Sequence, residues 1–343
     1  ERMTIQDIMP QTDRARELLG DFWFNSGPVP LAALRGQVVL LFFWDYSCAG
    51  CLRMLPYVTE WEKRYQPFGL VTVGVHSPRF TFGKKPEHVQ KAVARHAIGF
   101  PVVMDNEGLI ALQYQCRILP EIILVDKDGF IRYRSTGEGN AAAVEHALQA
   151  LLYSAGVGAE LPVIMDPLRE ADRSGAMCFR ATPELFAGYL RGTIGNVEGY
   201  APESVLSYAD PGMYLDGRLY ADGEWRSERE CLRLTGGPSR EGHLLAGYQG
   251  LDVQGVLEPE GEKRAEITVR QDNEFLSSNR GDDIRLDRRG RSYVVVDEPR
   301  LYSLVRNREY GEHVIRLSGG KHRFAVYAFA FATGVIPELV SNN

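Results

Sequence analysis

The stretch 37-QVVLLFFWDYSCAGCLRMLPYVTEWEKRY-65 decides the fold of the first half of the chain. Residues 37–44 form a continuous apolar run, as expected of a strand that is covered on both faces. From Cys51 onward, apolar residues recur at the spacing of one helix face: Leu52, Leu55, Val58, Trp61 and Tyr65. The stretch therefore predicts a buried strand, a Cys-x-x-Cys pair and an amphipathic helix in direct succession.

The rest of the first half continues this alternation of strands and helices. The sequence predicts strands at 70–75, 101–104, 122–126 and 130–134, and helices at 86–96 and 141–153. A Lys-Asp-Gly turn at 127–129 joins the last two strands into a hairpin. Strands alternating with helices of this length indicate an α/β layer with parallel pairing at its centre.

The second half differs from the first in its composition and in its hydrophobic pattern. Residues 156–183 are rich in Gly, Pro, Asp and Arg without periodicity, which favours a linker. Beyond them, turn residues separate short alternating segments, and this spacing predicts an all-β sandwich. The predicted strands are 230–234, 243–248, 253–257, 265–270, 292–296, 300–305, 313–317 and 324–331.

Length, composition and charge narrow the class of protein. The 343 residues favour two domains, and an apolar share of 44 % with 24 % charged residues is typical of a globular protein. The net charge of −6 gives no basic field, so we expect no nucleic-acid partner. No apolar run reaches the length of a membrane span. The first residues do not resemble a signal peptide, so this end does not reveal the compartment.

The placement of the five cysteines is informative. Cys48 and Cys51 form a Cys-x-x-Cys pair at a predicted helix N-terminus, where the helix dipole and free amides stabilise a thiolate on the first cysteine. The second cysteine can then resolve a mixed disulfide. A structural cysteine pair or half of a metal site is the alternative. Since no second CxxC and no paired histidines occur, we expect no metal and no cofactor other than the Cys48/Cys51 disulfide itself.

Several segments together resemble the thioredoxin superfamily. They are WDYSCAGC at 44–51, VGVHSP at 73–78 and LPEIILVDKDG at 119–129. The inserted helix and PVVMD strand resemble TlpA/ResA-type proteins, and the likeness extends to the extracytoplasmic half of DipZ-type proteins. This resemblance implies an α/β thioredoxin-like domain with an inserted helix and strand, followed by a jelly-roll-like β-sandwich similar to a carbohydrate-binding module. The expected domains are 1–158 and 184–343, joined by a linker at 159–183.

The resemblance also implies roles for particular residues. Cys48 would be the attacking thiol, Cys51 the resolving thiol and Pro120 the cis-proline that faces them, in a loop that offers backbone groups to an extended peptide. Leu119 stands just before that proline. Trp44 would form the floor of the site, although an ordinary core aromatic is an equal alternative.

The chain departs from thioredoxin at the position of its buried acid, which is Phe42 here. Another group, or water, must then accept the proton of the Cys51 thiol. Glu121, beside the proline, and His76, at a strand end, are the two candidates, and each has a structural role as its alternative. The Ala-Gly pair between the cysteines and Leu119 also differ from thioredoxin, so the redox direction stays open.

Three cysteines lie outside the motif. Cys116 is expected to be a buried small residue, with an auxiliary redox thiol as the alternative. Cys178 and Cys231 are expected to stay unpaired, although a disulfide between them would tie the linker to the sandwich.

The DipZ-like resemblance raises the question of a carbohydrate ligand on the β-sandwich. Aromatic platforms stack on sugar faces, and the candidates are Trp225, Tyr248 and Tyr302, each with a core position as its alternative. The acidic loop with Asp282, Asp283 and Asp287 could hold calcium, but the arginines between them favour a solvated charged loop.

Two functional classes compete. The first is a thiol:disulfide oxidoreductase that acts on protein or thiol substrates and exchanges electrons with an upstream redox partner such as a membrane electron carrier. The second is a binding or scaffold protein in which the sandwich binds glycan or protein and the thioredoxin-like domain is a mount. A peroxidase is disfavoured because residues 43–47 lack a Pro-x-x-x-Thr-x-x-Cys pattern. The resemblance implies an extracytoplasmic, periplasmic or cell-surface location, with a cytoplasmic one still open.

Overall fold

The chain divides into two compact units, Glu1–Gly175 and Ala176–Asn343. The computed structural model describes residues 13–236, 242–261 and 264–336. The division between the units falls inside the predicted linker. Within these described ranges, no helix is both long and apolar enough to cross a membrane.

The first unit is a six-stranded mixed sheet with helices packed against it. The elements are β1 (Trp23–Phe24), β2 (Val38–Trp44), α1 (Ala49–Tyr65), β3 (Leu70–His76), α2 (Pro86–Arg95), β4 (Val102–Met104), α3 (Leu109–Gln113), β5 (Glu121–Val125), β6 (Ile131–Thr136) and α4 (Ala141–Ser154). The strands run in the order β1-β4-β3-β2-β5-β6 across the sheet.

The central strand β2 is buried on both faces of the sheet. All seven of its residues are buried, which is why its sequence is apolar without alternation. It pairs in parallel with β3 and antiparallel with β5, and β3 pairs in parallel with β4. The predicted thioredoxin-like α/β layer with parallel pairing at its centre is therefore confirmed.

The first helix begins earlier than the apolar pattern predicts. The pattern places its start at Cys51, whereas α1 starts at Ala49 and Cys48 is its N-cap residue. The Cys48 thiol accepts a hydrogen bond from the Cys51 backbone N–H, and this bond satisfies one of the free amides of the first turn. A cap formed by sulfur has no signature in the hydrophobic periodicity, which explains the difference.

The second unit consists of strands, as the sequence predicts. Its strands are β7 (Leu185–Phe186), β8 (Val205–Tyr208), β9 (Leu219–Ser227), β10 (Leu232–Leu234), β11 (His243–Pro259), β12 (Ala265–Gln271), β13 (Glu274–Phe275), β14 (Ile284–Leu286), β15 (Ser292–Val296), β16 (Arg300–Ser318) and β17 (Phe324–Ala332). They share one hydrophobic core that includes Trp225, Leu257 and Phe329. A single core under one continuous path of strands is consistent with a β-sandwich.

The structure corrects the strand boundaries in this unit. The predicted strands 243–248 and 253–257 are one strand, β11, and 300–305 and 313–317 are likewise one strand, β16. Register shifts between Gly250 and Asp252 and between Val253 and Gln254 let the pair continue where the alternation breaks. The sequence analysis also misses β9, because its Asp222-Gly223 pair resembles a turn while Asp222 is in fact buried.

The stretch from Leu161 to Asp172, part of the predicted linker, is bound to the first unit. The Tyr57 hydroxyl of α1 accepts a hydrogen bond from the Leu168 N–H at 2.7 Å and donates to Asp172 Oδ2 at 2.9 Å. The buried Glu145 carboxylate of α4 accepts from the Met165 N–H at 2.9 Å. We call this stretch, residues 161–172, the strap.

We expect Tyr57→Phe to loosen the strap without unfolding the unit. The loss of the hydroxyl leaves the Leu168 N–H and the Asp172 carboxylate without this partner, which costs about 1–3 kcal/mol. Trypsin should then cut after Arg169 or Arg173 faster than in the unaltered protein, as measured by peptide mass spectrometry over time. Tyr133→Phe, on β6, serves as the matched control, and equal cleavage rates in all three proteins would show that Tyr57 does not anchor the strap.

Candidate active site

Cys48 lies where β2 passes into α1. Its Sγ accepts a hydrogen bond from the Cys51 N–H at 3.3 Å. The pKa of the Cys48 thiol lies below the ordinary value, first because of its hydrogen bond with Cys51 and also because of the positive charge of Arg79, both acting against burial. Cys48 is 6 % exposed and Cys51 is 0 % exposed, so the thiol that favours its anionic form is also the more accessible of the two.

Cys51 has the opposite character. It is fully buried in the first turn of α1. Burial, followed by the hydrogen bond and the charge of Cys48, raises the pKa of the Cys51 thiol well above the ordinary value. The two sulfurs therefore differ in both access and acidity, which is the division of labour that attack and resolution require.

The loop before β5 faces the two cysteines. The Leu119–Pro120 peptide bond is cis. The Cys48 thiol lies 3.9 Å from the Leu119 carbonyl oxygen, and a side chain added at Gly50 would place its Cβ 3.3 Å from Pro120 Cδ. The structure thus brings Cys48, Cys51, Leu119 and Pro120 together.

Asp45 is the residue of this site that the sequence analysis misses. Its side chain is buried, and Oδ1 accepts hydrogen bonds from both the backbone N–H and the hydroxyl of Ser47. Oδ2 accepts the Arg79 N–H at 2.8 Å. The negative charge of Asp45 raises the pKa of both active-site thiols, as a minor cause in each case. An acidic residue directly after the apolar run of residues 37–44, three positions before Cys48, is the signal that could have identified it.

His76 and Trp44 lie side by side beneath the site. Trp44 is fully buried and meets the His76 ring edge-on, with 5.4 Å between ring centroids. His76 Nε2 is 3.9 Å from Asp45 Oδ2, and neither ring nitrogen has a hydrogen-bond partner among the described residues. Burial lowers the pKa of His76. His76 therefore contacts the site through Asp45.

Glu121 lies on the other face of the sheet. It alternates with Ile123 and Val125, which pack with Phe43 in a hydrophobic cluster whose described members include no residue of α1. The Glu121 carboxylate binds Arg134 at 2.7 Å. It also raises the pKa of Cys116, although burial is the larger cause. The structure thus places Glu121 beside Cys116 and not beside the Cys48/Cys51 pair.

A charged cluster borders the site near Gly50. The Glu138 carboxylate lies 3.8 Å from the position that a Gly50 Cβ would take. Arg53 binds it at 2.7 Å and Arg169 of the strap at 3.2 Å. Burial favours the neutral acid, but the two arginines outweigh it and lower the pKa of Glu138.

In the second unit, the three aromatic residues considered as sugar platforms are buried. Trp225 and Tyr302 are 0 % exposed and Tyr248 is 2 % exposed, so none offers a ring face to a sugar. Their apolar rings are part of the sandwich core. These three residues therefore occupy core positions, the more common place for aromatic residues in a β-sandwich, and are not platforms.

The other polar groups considered in that unit have protein partners. Asp282 pairs with Arg306, Asp283 with Arg300 and Asp287 with Arg291, at distances of 2.7–2.9 Å. Cys178 and Cys231 are not joined to each other. The described residues contain no group of three His, Cys, Asp or Glu side chains arranged to hold a metal ion.

Models of known families match both units of the chain. The model of the AhpC/TSA family matches residues 18–134, and the model of a thioredoxin-like C-terminal domain matches residues 182–332. These matches fall in the first and second units, respectively.

Individual relatives match the first unit. Protein DipZ of Mycobacterium tuberculosis is 38 % identical over 143 residues, which are 41 % of this chain and 21 % of DipZ. The thiol-disulfide oxidoreductase YkuV of Bacillus subtilis is 28 % identical over 40 % of this chain and 92 % of its own. A thiol-disulfide isomerase from Corynebacterium glutamicum is 26 % identical, with a TM-score of 0.37, over 40 % of this chain and 94 % of its own.

The first unit is thioredoxin-like in its site and its fold. Its Cys-x-x-Cys pair lies at a helix N-terminus, beside a cis-proline loop and on a mixed α/β layer. This unit is similar to TlpA/ResA/DipZ-type proteins of the thioredoxin superfamily. The alignment with DipZ spans only about a fifth of that protein.

We expect alkylation to distinguish the two active-site thiols. Since the Cys48 pKa is lowered and the Cys51 pKa is raised, the Cys48 thiolate forms first as the pH rises. Iodoacetamide should label Cys48 at pH 7 at least about tenfold faster than Cys51, because the thiolate is the nucleophile. Peptide mass spectrometry of the reduced protein between pH 5 and about 9 provides the measurement. Equal labelling of both cysteines would contradict the assignment of the attacking thiol.

Proposed function

We propose that the chain is a thiol:disulfide oxidoreductase that exchanges disulfides with protein or thiol substrates through Cys48 and Cys51. The observation that carries this proposal is the pairing of two unlike thiols. Cys48 caps α1 with a lowered pKa, and the buried Cys51 has a raised pKa. The relatives named as thiol-disulfide oxidoreductases support the same activity.

The reaction follows from this arrangement. The Cys48 thiolate attacks one sulfur of a substrate disulfide, forming a mixed disulfide and releasing the other substrate sulfur as a thiolate. Cys51 then loses its proton and attacks the Cys48 sulfur, which releases the second substrate sulfur. The substrate gains two electrons and its two thiols, and the Cys48/Cys51 pair becomes a disulfide. In the opposite direction the same steps oxidise a substrate dithiol.

An extended substrate would bind along the cis-proline loop. The backbone that precedes Pro120 offers hydrogen-bonding groups at the edge of the site, and the Leu119 carbonyl is already directed at Cys48. Substrates of this proposal are protein disulfides, and an upstream redox partner, such as a membrane electron carrier, returns the pair to its starting state. We also propose an extracytoplasmic location, on the basis of the resemblance to DipZ-type proteins.

Replacing the cysteines separately tests the activity. Cys48→Ser should abolish exchange with a disulfide substrate, because no attacking thiolate remains. Cys51→Ser should accumulate a mixed disulfide through Cys48, because the resolving thiol is absent. Non-reducing gels and intact-protein mass spectrometry measure both outcomes, and Cys116→Ser is the matched control. If Cys51→Ser traps no partner and the pair of the unaltered protein never forms a disulfide, the binding or scaffold function becomes the better account.

For the proton of Cys51 we propose His76, acting through Asp45, as the acceptor in preference to Glu121. The charge of the Asp45 carboxylate acts on the Cys51 thiol, and Asp45 Oδ2 lies 3.9 Å from His76 Nε2. Glu121, on the opposite face, binds Arg134.

His76→Gln should therefore slow resolution of the mixed disulfide by about a hundredfold or more, which is the usual contribution of a positioned base. Glu121→Gln should leave the rate unchanged. Rapid-quench trapping of the mixed disulfide gives both rates. A slower Glu121→Gln protein with an unaltered His76→Gln protein would reverse the assignment.

A further inference from the structure

Arg79 lies outside the Cys-x-x-Cys motif, in the loop that follows β3. Its backbone N–H donates to Asp45 Oδ2 at 2.8 Å. Its guanidinium Nη1 donates to the Ser47 carbonyl oxygen at 3.3 Å. Ser47 directly precedes Cys48, so a positive charge lies against the backbone that presents the attacking thiol.

The position of Arg79 is fixed by groups that are themselves buried. Asp45 is 0 % exposed, and its other carboxylate oxygen holds the Ser47 N–H and hydroxyl. One carboxylate thus ties the Arg79 loop to the loop that carries Cys48. The ring of Phe80, also buried, lies 5.6 Å from the Arg79 guanidinium carbon. The backbone and the guanidinium of Arg79 are therefore both held beside the loop that carries Cys48.

The charged and titratable groups around Cys48 have opposing effects. Arg79 favours the thiolate, whereas the Asp45 carboxylate opposes it and raises the thiol pKa. Cys51 donates its backbone N–H to the sulfur and remains a neutral thiol, because its own pKa is raised. His76, fully buried with a lowered pKa, adds no positive charge at neutral pH. Arg79 is thus the cation that acts on Cys48 among these groups.

We propose that Arg79 is a positioning residue that stabilises the Cys48 thiolate, with Asp45 holding it in place, and thereby shifts the Cys48/Cys51 pair toward the oxidising end of its range. This inference rests on the proposed exchange function. Stabilising the thiolate stabilises the dithiol form relative to the disulfide, and it also makes Cys48 the better leaving group when a substrate thiolate attacks the mixed disulfide. Both effects favour transfer of the disulfide out of this protein.

Replacing the charge tests the inference. In Arg79→Gln, the equilibrium constant with glutathione should shift about tenfold toward the enzyme disulfide, which corresponds to a potential about 30 mV more negative. In the same protein, the pH profile of Cys48 alkylation should move to higher pH. Arg79→Lys, which keeps the charge, should restore most of both values. Arg95→Gln removes an exposed arginine at the end of α2 as the matched control and should change neither.

Two results distinguish a failure of this inference from a failure of the proposed exchange function. Because Asp45 binds the backbone N–H of residue 79, the loop contact survives any replacement except proline, and circular dichroism verifies that each variant folds. Arg79→Met, which keeps the aliphatic stem, gives a second neutral variant if Arg79→Gln does not fold. Unchanged glutathione equilibrium and unchanged alkylation profile in a folded neutral variant would overturn the role of Arg79. Failure of the unaltered protein to form the Cys48/Cys51 disulfide would overturn the exchange function instead.

Discussion

The buried carboxylate of Asp45 is the constraint on which the site depends. A charged group without contact with water is stable only when hydrogen bonds replace its hydration, and Asp45 receives these from Ser47 and Arg79. The same bonds determine the path of the chain between β2 and α1. Since that path presents Cys48 as the helix cap, the thiol geometry follows from the burial of one carboxylate.

The two thiols show how local geometry generates unlike chemistry from identical side chains. One N–H, that of Cys51, points at the Cys48 sulfur because Cys48 caps the helix. The Cys51 sulfur lies one turn further in, where burial dominates. An electrostatic difference between two positions of one helix therefore separates the nucleophile from the resolving group. The sheet beneath contributes mainly by excluding water, through the fully apolar β2.

Much of this architecture could be predicted from the sequence. The continuous apolar run of β2 and the helical periodicity of α1 determine the first layer, and alternation with turn residues indicates the all-β second unit. Predictions failed where tertiary contacts override local pattern. Strands β11 and β16 continue through bulges that look like turns in the sequence. The cysteine pair and Pro120 could be placed from their motifs. The hydrogen bond between Asp45 and Arg79 could not, because the two residues are distant in the sequence and only the fold brings them together.

The strap extends the first unit beyond its last helix. Glu145 on α4 and Tyr57 on α1 each bind strap residues through buried or half-buried polar groups. Leu161 is buried as well. A truncated chain that stopped after α4 would therefore lose the buried Leu161 side chain and leave polar groups on two helices without these partners. Production of the redox unit as a separate protein should accordingly retain residues up to Gly175, even though its last α-helix ends at Ser154.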